Sequence, residues 1–404
     1  MNRLGILFAS PHRLPFLAGS VGFAGLALWW LAQLVYILFG ELPLFPAGMP
    51  QTQLPPSLLH GPAMIYLAFA PFIFGFLLTV FPRWMNLPDL ASGRYAPVTV
   101  PVFLGVILAL TGLWNGRDAL VFGGFALCAV GWLLAVLVLL DLLRRNALAG
   151  GARCWHAWSA CGALILGLAG LMAALAFLRS GDIGWLTLAN RIGLGGFLLP
   201  VFLTVAHRMI PFFAGNAVKG YIRWRPDWLL AVLWMLLLAR LGGELLPHAG
   251  ALLAGNAGLA LVTALMCWKW WPRGAAPGLL KVLLWGFVWA PAGFVLAVID
   301  VAFAPLGRAP DHALLIGFAA SLMIAMVTRV TQGHSGRALQ MHAAAWVGFF
   351  AVQLAAVSRI LAALQFENGI LLTIAAAVFA AGLLPWLVRN AAVYLTPRSD
   401  GKPG

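Results

Sequence analysis

The sequence has very little charge for a chain of its length. Asp, Glu, Lys and Arg make up only 9% of its 404 residues, whereas soluble domains carry about a quarter. So few charges cannot build a water-facing surface, so the composition excludes a set of soluble domains. With 63% hydrophobic residues and a mean hydropathy of +0.96, the chain is predicted to be an all-α polytopic membrane protein that forms a single integral membrane domain.

Acidic residues and cysteines are also scarce. The 11 Asp and Glu residues stand against 25 Lys and Arg, which gives a formal net charge of +14. In a membrane protein this excess reflects the basic residues of cytoplasmic loops, so no nucleic-acid partner is predicted. The four cysteines form no CxxC pair and lie in or beside apolar segments. That placement favours small buried residues over a disulfide or a metal site.

Long apolar runs dominate what is present. A membrane-spanning helix needs about 20 apolar residues, and the chain contains twelve such runs. The first is predicted to be retained as a helix, because no small-residue cleavage site follows it. Predicted helices 1 to 12 cover residues 15–40, 60–82, 97–114, 119–143, 156–178, 185–207, 227–247, 250–272, 280–304, 312–330, 341–363 and 369–389.

Basic residues distinguish the two sides of the membrane. Most Lys and Arg residues fall at the two ends of the chain and in the even-numbered loops, whereas the odd-numbered loops hold only Arg117, Arg179 and Arg308. Basic residues collect in cytoplasmic loops. Both termini are therefore predicted to face the cytoplasm.

Three predicted helices end alike on the cytoplasmic side. Helices 2 and 6 each end in the string Leu-Thr-Val shortly before Arg83 and Arg208, and helix 10 ends in Ile-Ala-Met before Arg329. Successive arginines are separated by four predicted helices. The spacing predicts three repeated four-helix units, arranged as arcs. The alternative is a chance recurrence of common apolar strings. The predicted units cover residues 15–143, 156–272 and 280–389.

Three arginines fall inside predicted helices, toward the periplasmic side: Arg191, Arg240 and Arg359. Ionisable residues in hydrocarbon are costly and point to function. Arg240 and Glu244 are four residues apart and can pair on one helix face. The arginines are interpreted either as structural ion pairs or as an anion site that holds haem propionates or an anionic substrate.

Histidines lie at both ends of the predicted helices. His60 and His312 begin helices 2 and 10 near the periplasmic face, and two histidines on different helices can hold a haem iron from opposite sides. The alternative is a pair of interfacial histidines. His207 and His334 lie at cytoplasmic ends with Met residues nearby, a combination that suits copper. They are the candidate ligands of a second haem or a copper ion.

Several segments together resemble the NnrS family. They are His60 with the apolar run at residues 75–80, the segment at residues 207–213, and the stretch at residues 326–337, which includes Gly-His-Ser-Gly-Arg. The likeness covers most of the chain. The family usually carries Trp-His-Ala-His-Glu-Met at the start of helix 2. Residues 59–64 here read Leu-His-Gly-Pro-Ala-Met, so the second histidine and the glutamate are absent.

The resemblance implies a haem- and copper-associated protein of the bacterial inner membrane that handles nitric oxide, in denitrification or in protection against nitrosative stress. The architecture is also similar to the catalytic subunit of haem-copper oxidases and nitric oxide reductases, in which histidines on helices 2 and 10 hold a low-spin haem. His60 and His312 fit that pattern. Helix 7 has no adjacent histidine pair, so an oxidase-type binuclear centre is not expected.

The leading hypothesis is a protein that binds haem b and acts in nitric oxide metabolism. It would bind or reduce nitric oxide, as a haem-dependent oxidoreductase, or pass electrons with a respiratory redox partner. His60 and His312 would be the axial ligands, and Arg191, Arg240 and Arg359 would hold the propionates. Two alternatives stay open. One is a cofactor-free anion transporter, and the other is an assembly factor for a respiratory or denitrification enzyme.

Overall fold

Twelve long helices make up most of the protein in a computed structural model that describes residues 3–40 and 48–401. Each is long and apolar enough to cross a membrane, which confirms the prediction of an all-α polytopic membrane protein. Within the described ranges no residue lies in a β-strand. The helices are α1 (Arg13–Phe39), α2 (Pro56–Trp84), α3 (Ser92–Asn115), α4 (Asp118–Leu148), α5 (Trp155–Ser180), α6 (Ile183–Ala217), α7 (Trp228–Leu245), α8 (Ala249–Trp270), α9 (Gly278–Ala302), α10 (Ala309–His334), α11 (Ala343–Leu364) and α12 (Gly369–Tyr394).

Several helices extend beyond the apolar runs that predicted them. Helix α6 continues to Ala217, well past the predicted end at residue 207, because the residues after Arg208 are again apolar. Helix α2 starts at Pro56, and proline suits the first helical position because its missing N–H has no partner there. Hydropathy detects the apolar centre of a helix and misses the turns that lie beyond a charged or polar residue.

Three helices are far more buried than the other nine candidate membrane spans among the described residues. In α2, α6 and α10 the most apolar stretch is 89%, 83% and 83% buried, whereas in the remaining spans this share lies between 28% and 50%. The buried helices recur at every fourth position, and they are the three whose C-terminal ends look alike in sequence. The three helices with similar ends in the sequence are thus also the three that are most buried in the structure. The arrangement in three arcs stays a prediction.

The same three helices each contain a π-helical segment. The segments are Met64–Phe69 in α2, Ile192–Leu198 in α6 and Ala313–Ala320 in α10. In α2 the N–H of Ala70 donates to the carbonyl of Ile65, five residues back. Short π-helical insertions in α-helices often mark functional sites. His312 and Arg191 directly precede two of these segments, and His60 lies one turn before the third.

The chain divides into two compact units. The first consists of the described residues of 1–193, 330–338 and 386–404, and the second of residues 194–329 and 339–385. This division follows contacts between residues. The three four-helix units follow sequence recurrence and stay a prediction.

In the first unit, α3 and α4 pack through facing glycines. A Cβ atom at Gly124 would lie 2.6 Å from the carbonyl oxygen of Gly105, and it would also meet the backbone of Ala109. The helices therefore touch backbone to backbone, as small residues allow in membranes.

In the second unit, polar side chains connect α9, α10 and α11. The amide of Gln353 accepts a hydrogen bond from Trp289 Nε1 at 2.6 Å and donates one to Ser321 Oγ at 2.7 Å. Because hydrocarbon offers these groups no other partner, the bonds fix how the three helices pack.

Replacing Gly124 with Ala should destabilise the protein by about 1–3 kcal/mol, because the added methyl group meets backbone that cannot move aside. Thermal unfolding in detergent would measure the loss of stability, with the labelling of the buried cysteines as the signal. Gly123→Ala is the matched control, since a Cβ there meets only the tip of Leu108 at 3.3 Å. Equal unfolding temperatures for the two variants would contradict the close packing.

Candidate functional site

The second unit contains a cluster of three arginines and three acidic residues, which we term the arginine cluster. Its most buried member is Arg240, whose side chain is 3% exposed. Arg240 pairs with Glu244 at 2.7 Å, which confirms the pairing predicted from their spacing. Its Nε also donates to Asn256 of the next helix at 3.0 Å. The members are Arg240, Glu244, Arg308, Asp311, Arg359 and Glu367.

The other members of the arginine cluster are paired less tightly. Arg359 contacts Glu367 at 2.9 Å, and Asp311 lies 3.6 Å from Arg308 and 4.0 Å from Arg240. Nη1 of Arg240 and Nη1 of Arg359 are both buried and have no hydrogen-bond partner among the described residues. Because a buried donor without a partner is costly, the cluster retains capacity to bind a carboxylate or another anion.

His312 stands at the entrance to the π-helical segment of α10, directly after Asp311. Its Nδ1 lies 2.9 Å from the carbonyl oxygen of Arg308. Because a carbonyl only accepts, Nδ1 carries the proton, and in the neutral ring the lone pair is on Nε2. Metal-ligating histidines commonly have this arrangement, in which one nitrogen is held by a carbonyl and the other faces the metal.

His60 and Arg191 lie in the first unit. The ring of His60 stacks on Trp30, with centroids 4.4 Å apart and an angle of 21° between the planes. A Cβ atom at Gly61 would lie 2.9 Å from Oδ1 of Asn190, so α2 runs close to the residue before Arg191. The sequence-predicted residues thus divide between the units. His60 and Arg191 fall in the first, and His312, Arg240 and Arg359 fall in the second.

A second histidine site lies in the first unit, at the other ends of its helices. His12 precedes α1, His334 ends α10, and their ring centroids are 4.9 Å apart. His12 is 2% exposed, and its Nδ1 is buried with no hydrogen-bond partner among the described residues. Close by, the hydroxyls of Thr331 and Tyr394 are hydrogen-bonded at 2.8 Å. We term His12 and His334 the histidine pair.

The chain after α12 covers the region of the histidine pair. Nη1 of Arg13 donates to the carbonyl of Thr396 at 2.8 Å, and the backbone N–H of Ser399 donates to the carbonyl of Ser335 at 3.0 Å. Gly336 has a φ of 73°, which glycine adopts without strain. This turn joins α10 to the following loop.

His207 belongs to the second unit, whereas the histidine pair belongs to the first. It is fully buried in α6, and its ring centroid is 6.4 Å from that of Trp270. A metal site that uses both His207 and His334 stays a prediction. Sequence reasoning missed His12 as a neighbour of His334. The signal was the His-Arg dipeptide directly before the first apolar run.

The described residues contain no group of three or more His, Cys, Asp or Glu side chains that could hold a metal ion. A closed tetrahedral site needs four ligands. The histidine pair provides two nitrogens, and His312 provides one. Of the metal groups predicted from the sequence, haem needs only one or two protein ligands and makes the smallest demand on the chain.

These features define a polytopic α-helical membrane protein with an arginine cluster around the buried Arg240 in one unit and a histidine pair around the buried His12 in the other. A family model described as NnrS protein matches residues 6–398. The chain therefore belongs to the NnrS family, as its motifs suggested, and this membership is consistent with a membrane protein connected with nitric oxide. No curated protein matches the chain.

Glu244→Gln should destabilise the protein far more than Glu367→Gln. The first change leaves the buried Arg240 without its closest acidic partner, and breaking a buried ion pair costs about 3–5 kcal/mol. Glu367 is 43% exposed, and such pairs contribute about 1 kcal/mol or less. Unfolding temperatures in detergent would compare the two. Similar losses would show that Arg240 does not depend on Glu244.

The histidine pair should make stability depend on pH. Burial lowers the pKa of His12 well below its ordinary value, and the positive charges of His334, Arg13 and Arg83 lower it further. A base with a depressed pKa stabilises the folded state fully above its unfolded pKa, about 6.5 for histidine. That contribution is lost as the pH falls toward the folded pKa.

We therefore expect the unfolding temperature to fall between pH 7 and pH 5. Over this range His12 lowers the free energy of unfolding by up to about 1.4 kcal/mol per pH unit. His12→Gln should flatten this dependence. His248→Asn is the control, because His248 is exposed and caps α8 through its ring nitrogen, as an asparagine can. A dependence on pH that His12→Gln leaves unchanged would contradict this account.

Proposed function

We propose that the protein binds haem in the membrane and acts in nitric oxide metabolism, with His312 as an axial ligand of the iron. The observation that carries this proposal is the arrangement at the start of α10. The imidazole of His312 is held through Nδ1 by the carbonyl of Arg308. The same unit provides Nη1 donors of Arg240 and Arg359 that have no partner among the described residues.

The histidine and the arginines match two parts of a haem, the iron and the propionates. A neutral imidazole with Nδ1 held by a carbonyl presents Nε2 to iron. Guanidinium groups pair with carboxylates through charge-assisted hydrogen bonds, so the arginines suit the propionates. Asp311, 4.0 Å from Arg240 and 3.6 Å from Arg308, offsets part of the positive charge. When bound, haem would supply one-electron chemistry and an iron that can bind nitric oxide.

The roles of the remaining predicted ligands follow from the same proposal. His60 is proposed as the second axial ligand and Arg191 as a further propionate partner, on the sequence pattern. If both histidines held the haem, electron transfer to a respiratory partner would be the natural role. If His312 alone held it, the haem would supply a site for binding or reducing nitric oxide.

Copper is proposed at the histidine pair rather than at His207 with His334. The buried Nδ1 of His12 has no partner among the described residues, and the ring of His334 lies beside it. Imidazole nitrogens bind copper well. The pair would supply two imidazole nitrogens to a copper ion.

The inner membrane is the proposed location, with both termini in the cytoplasm. Support comes from the family and from the basic residues, which cluster at the chain ends and in the even-numbered loops. Cytoplasmic loops carry such an excess in multi-pass proteins. The histidine pair, which lies at the N-terminal end of α1 and the C-terminal end of α10, would then face the cytoplasmic side.

The competing function is transport of an anion without a cofactor. The same two Nη1 donors favour it, since buried arginines in transporters hold anionic substrates. The two functions differ in what they require of His312. A haem protein needs its imidazole, whereas an anion site made of arginines does not.

His312→Ala should abolish the haem absorbance of protein produced with ample haem, because the iron loses an axial ligand. Optical spectra of the purified protein, oxidised and then reduced, would measure the Soret band per polypeptide. His248→Asn is the control and should keep the wild-type spectrum. A His312→Ala variant with a full and unchanged spectrum would show that His312 is not a ligand.

The same preparation decides the second ligand. His60→Ala should shift the reduced spectrum and allow nitric oxide to change it, if the wild type is coordinated by two histidines. A wild-type spectrum that responds to nitric oxide would assign an open iron and a binding or reducing role. Wild-type protein with no Soret band would contradict the proposed haem and favour anion transport.

A further inference from the structure

An open groove of about 500 Å³ lies in the second unit, between the starts of α9 and α11. Its volume falls within the range of small-molecule sites. Both helices begin here, so the groove lies at the membrane boundary where the chain enters these two spans. The side chains used in the argument below are Gly278, Lys281, Trp285, Met341, Trp346 and Phe350.

The groove has a tight base and aromatic walls. A Cβ atom at Gly278 would lie 3.1 Å from Cβ of Met341 and 3.2 Å from Cζ2 of Trp346, so the two helical segments nearly touch at the base. Trp346 stacks on Phe350, with centroids 5.6 Å apart and planes at 19°. Trp285 lies one turn after Lys281, and its ring centroid is 6.4 Å from that of Trp346.

Lys281 provides the charge of the groove. Its side chain is exposed, and among the described residues no carboxylate forms an ion pair with it. It lies in the first turn of α9, and Trp285 is four residues deeper, a rise of about 6 Å. The ammonium therefore lies at headgroup depth, above an aromatic surface that enters the hydrocarbon.

We propose that this groove binds one anionic phospholipid. The ammonium of Lys281 contacts the lipid phosphate, and an acyl chain lies along Trp285 and Phe350. Basic pockets between membrane helices on the cytoplasmic side bind anionic headgroups in this manner. A free water-soluble anion would leave the apolar wall uncovered, since Trp285 is 41% and Phe350 56% exposed. A zwitterionic lipid would cover the wall but leave the positive charge unmatched.

The test is native mass spectrometry of the delipidated full-length protein, titrated with phosphatidylglycerol and separately with phosphatidylcholine. The wild type should bind one phosphatidylglycerol molecule more tightly than the rest. Lys281→Gln should weaken this site by about 10-fold, as expected for the loss of one charge-assisted hydrogen bond. Lys281→Arg should retain the affinity, because the positive charge remains.

The matched control is Lys269→Gln, which removes the same charge from the same unit. Lys269 is exposed and stacks on Trp268 at 4.3 Å, and it does not line the groove. It should bind phosphatidylglycerol as the wild type does. If both glutamine variants lost the same affinity for phosphatidylglycerol, the binding would depend only on the net charge of the protein. That result would overturn the proposal.

Two further outcomes would also overturn it. Phosphatidylcholine that binds as tightly as phosphatidylglycerol would show that the charge of the lipid is not recognised. Inorganic phosphate that displaces the bound lipid at equal concentration would assign the groove to free phosphate. Retained binding under phosphate, together with the loss in Lys281→Gln, would support the lipid.

Discussion

The rest of the structure depends on the cost of placing a charge in hydrocarbon. An ionised side chain inside a membrane must find a partner within the protein. Arg240 meets this requirement with Glu244 on its own helix and Asn256 on the next, and Arg359 meets it with Glu367. These pairs tie loops and helix ends together. They also leave one N–H on each arginine for a ligand, so a structural constraint and a candidate function use the same side chains.

Irregular backbone in a membrane, like charge, needs protein around it, and it occurs in the most buried helices. Helices α2, α6 and α10 are surrounded by protein over most of their length, so irregular backbone within them is shielded from lipid. Non-helical or strained backbone is tolerated at membrane depth only where protein covers it. The π-helical segments occur in these three helices, each beside a histidine or an arginine that the sequence had marked as functional.

Hydropathy and local spacing predicted much of this architecture. The twelve helices follow from apolar runs, and the Arg240–Glu244 pair follows from a separation of four residues. Contacts between distant segments did not follow. His12 lies beside His334 only because α1, α10 and the chain after α12 pack together in the first unit, and no local pattern encodes that packing. The groove at Lys281 was missed for the same reason, since much of its wall comes from α11 and the loop before it.

The π-helical segments have a consequence for how these helices are built. A π turn is an α-helix with one additional residue accommodated in a widened turn. One residue corresponds to about 100° of rotation around the helix axis, so the residues before and after the π-helical segment of α10 are out of phase with each other. His312, before the segment, and Arg329, after it, therefore do not share one helical periodicity. A single apolar stripe drawn along the whole helix would not follow both parts.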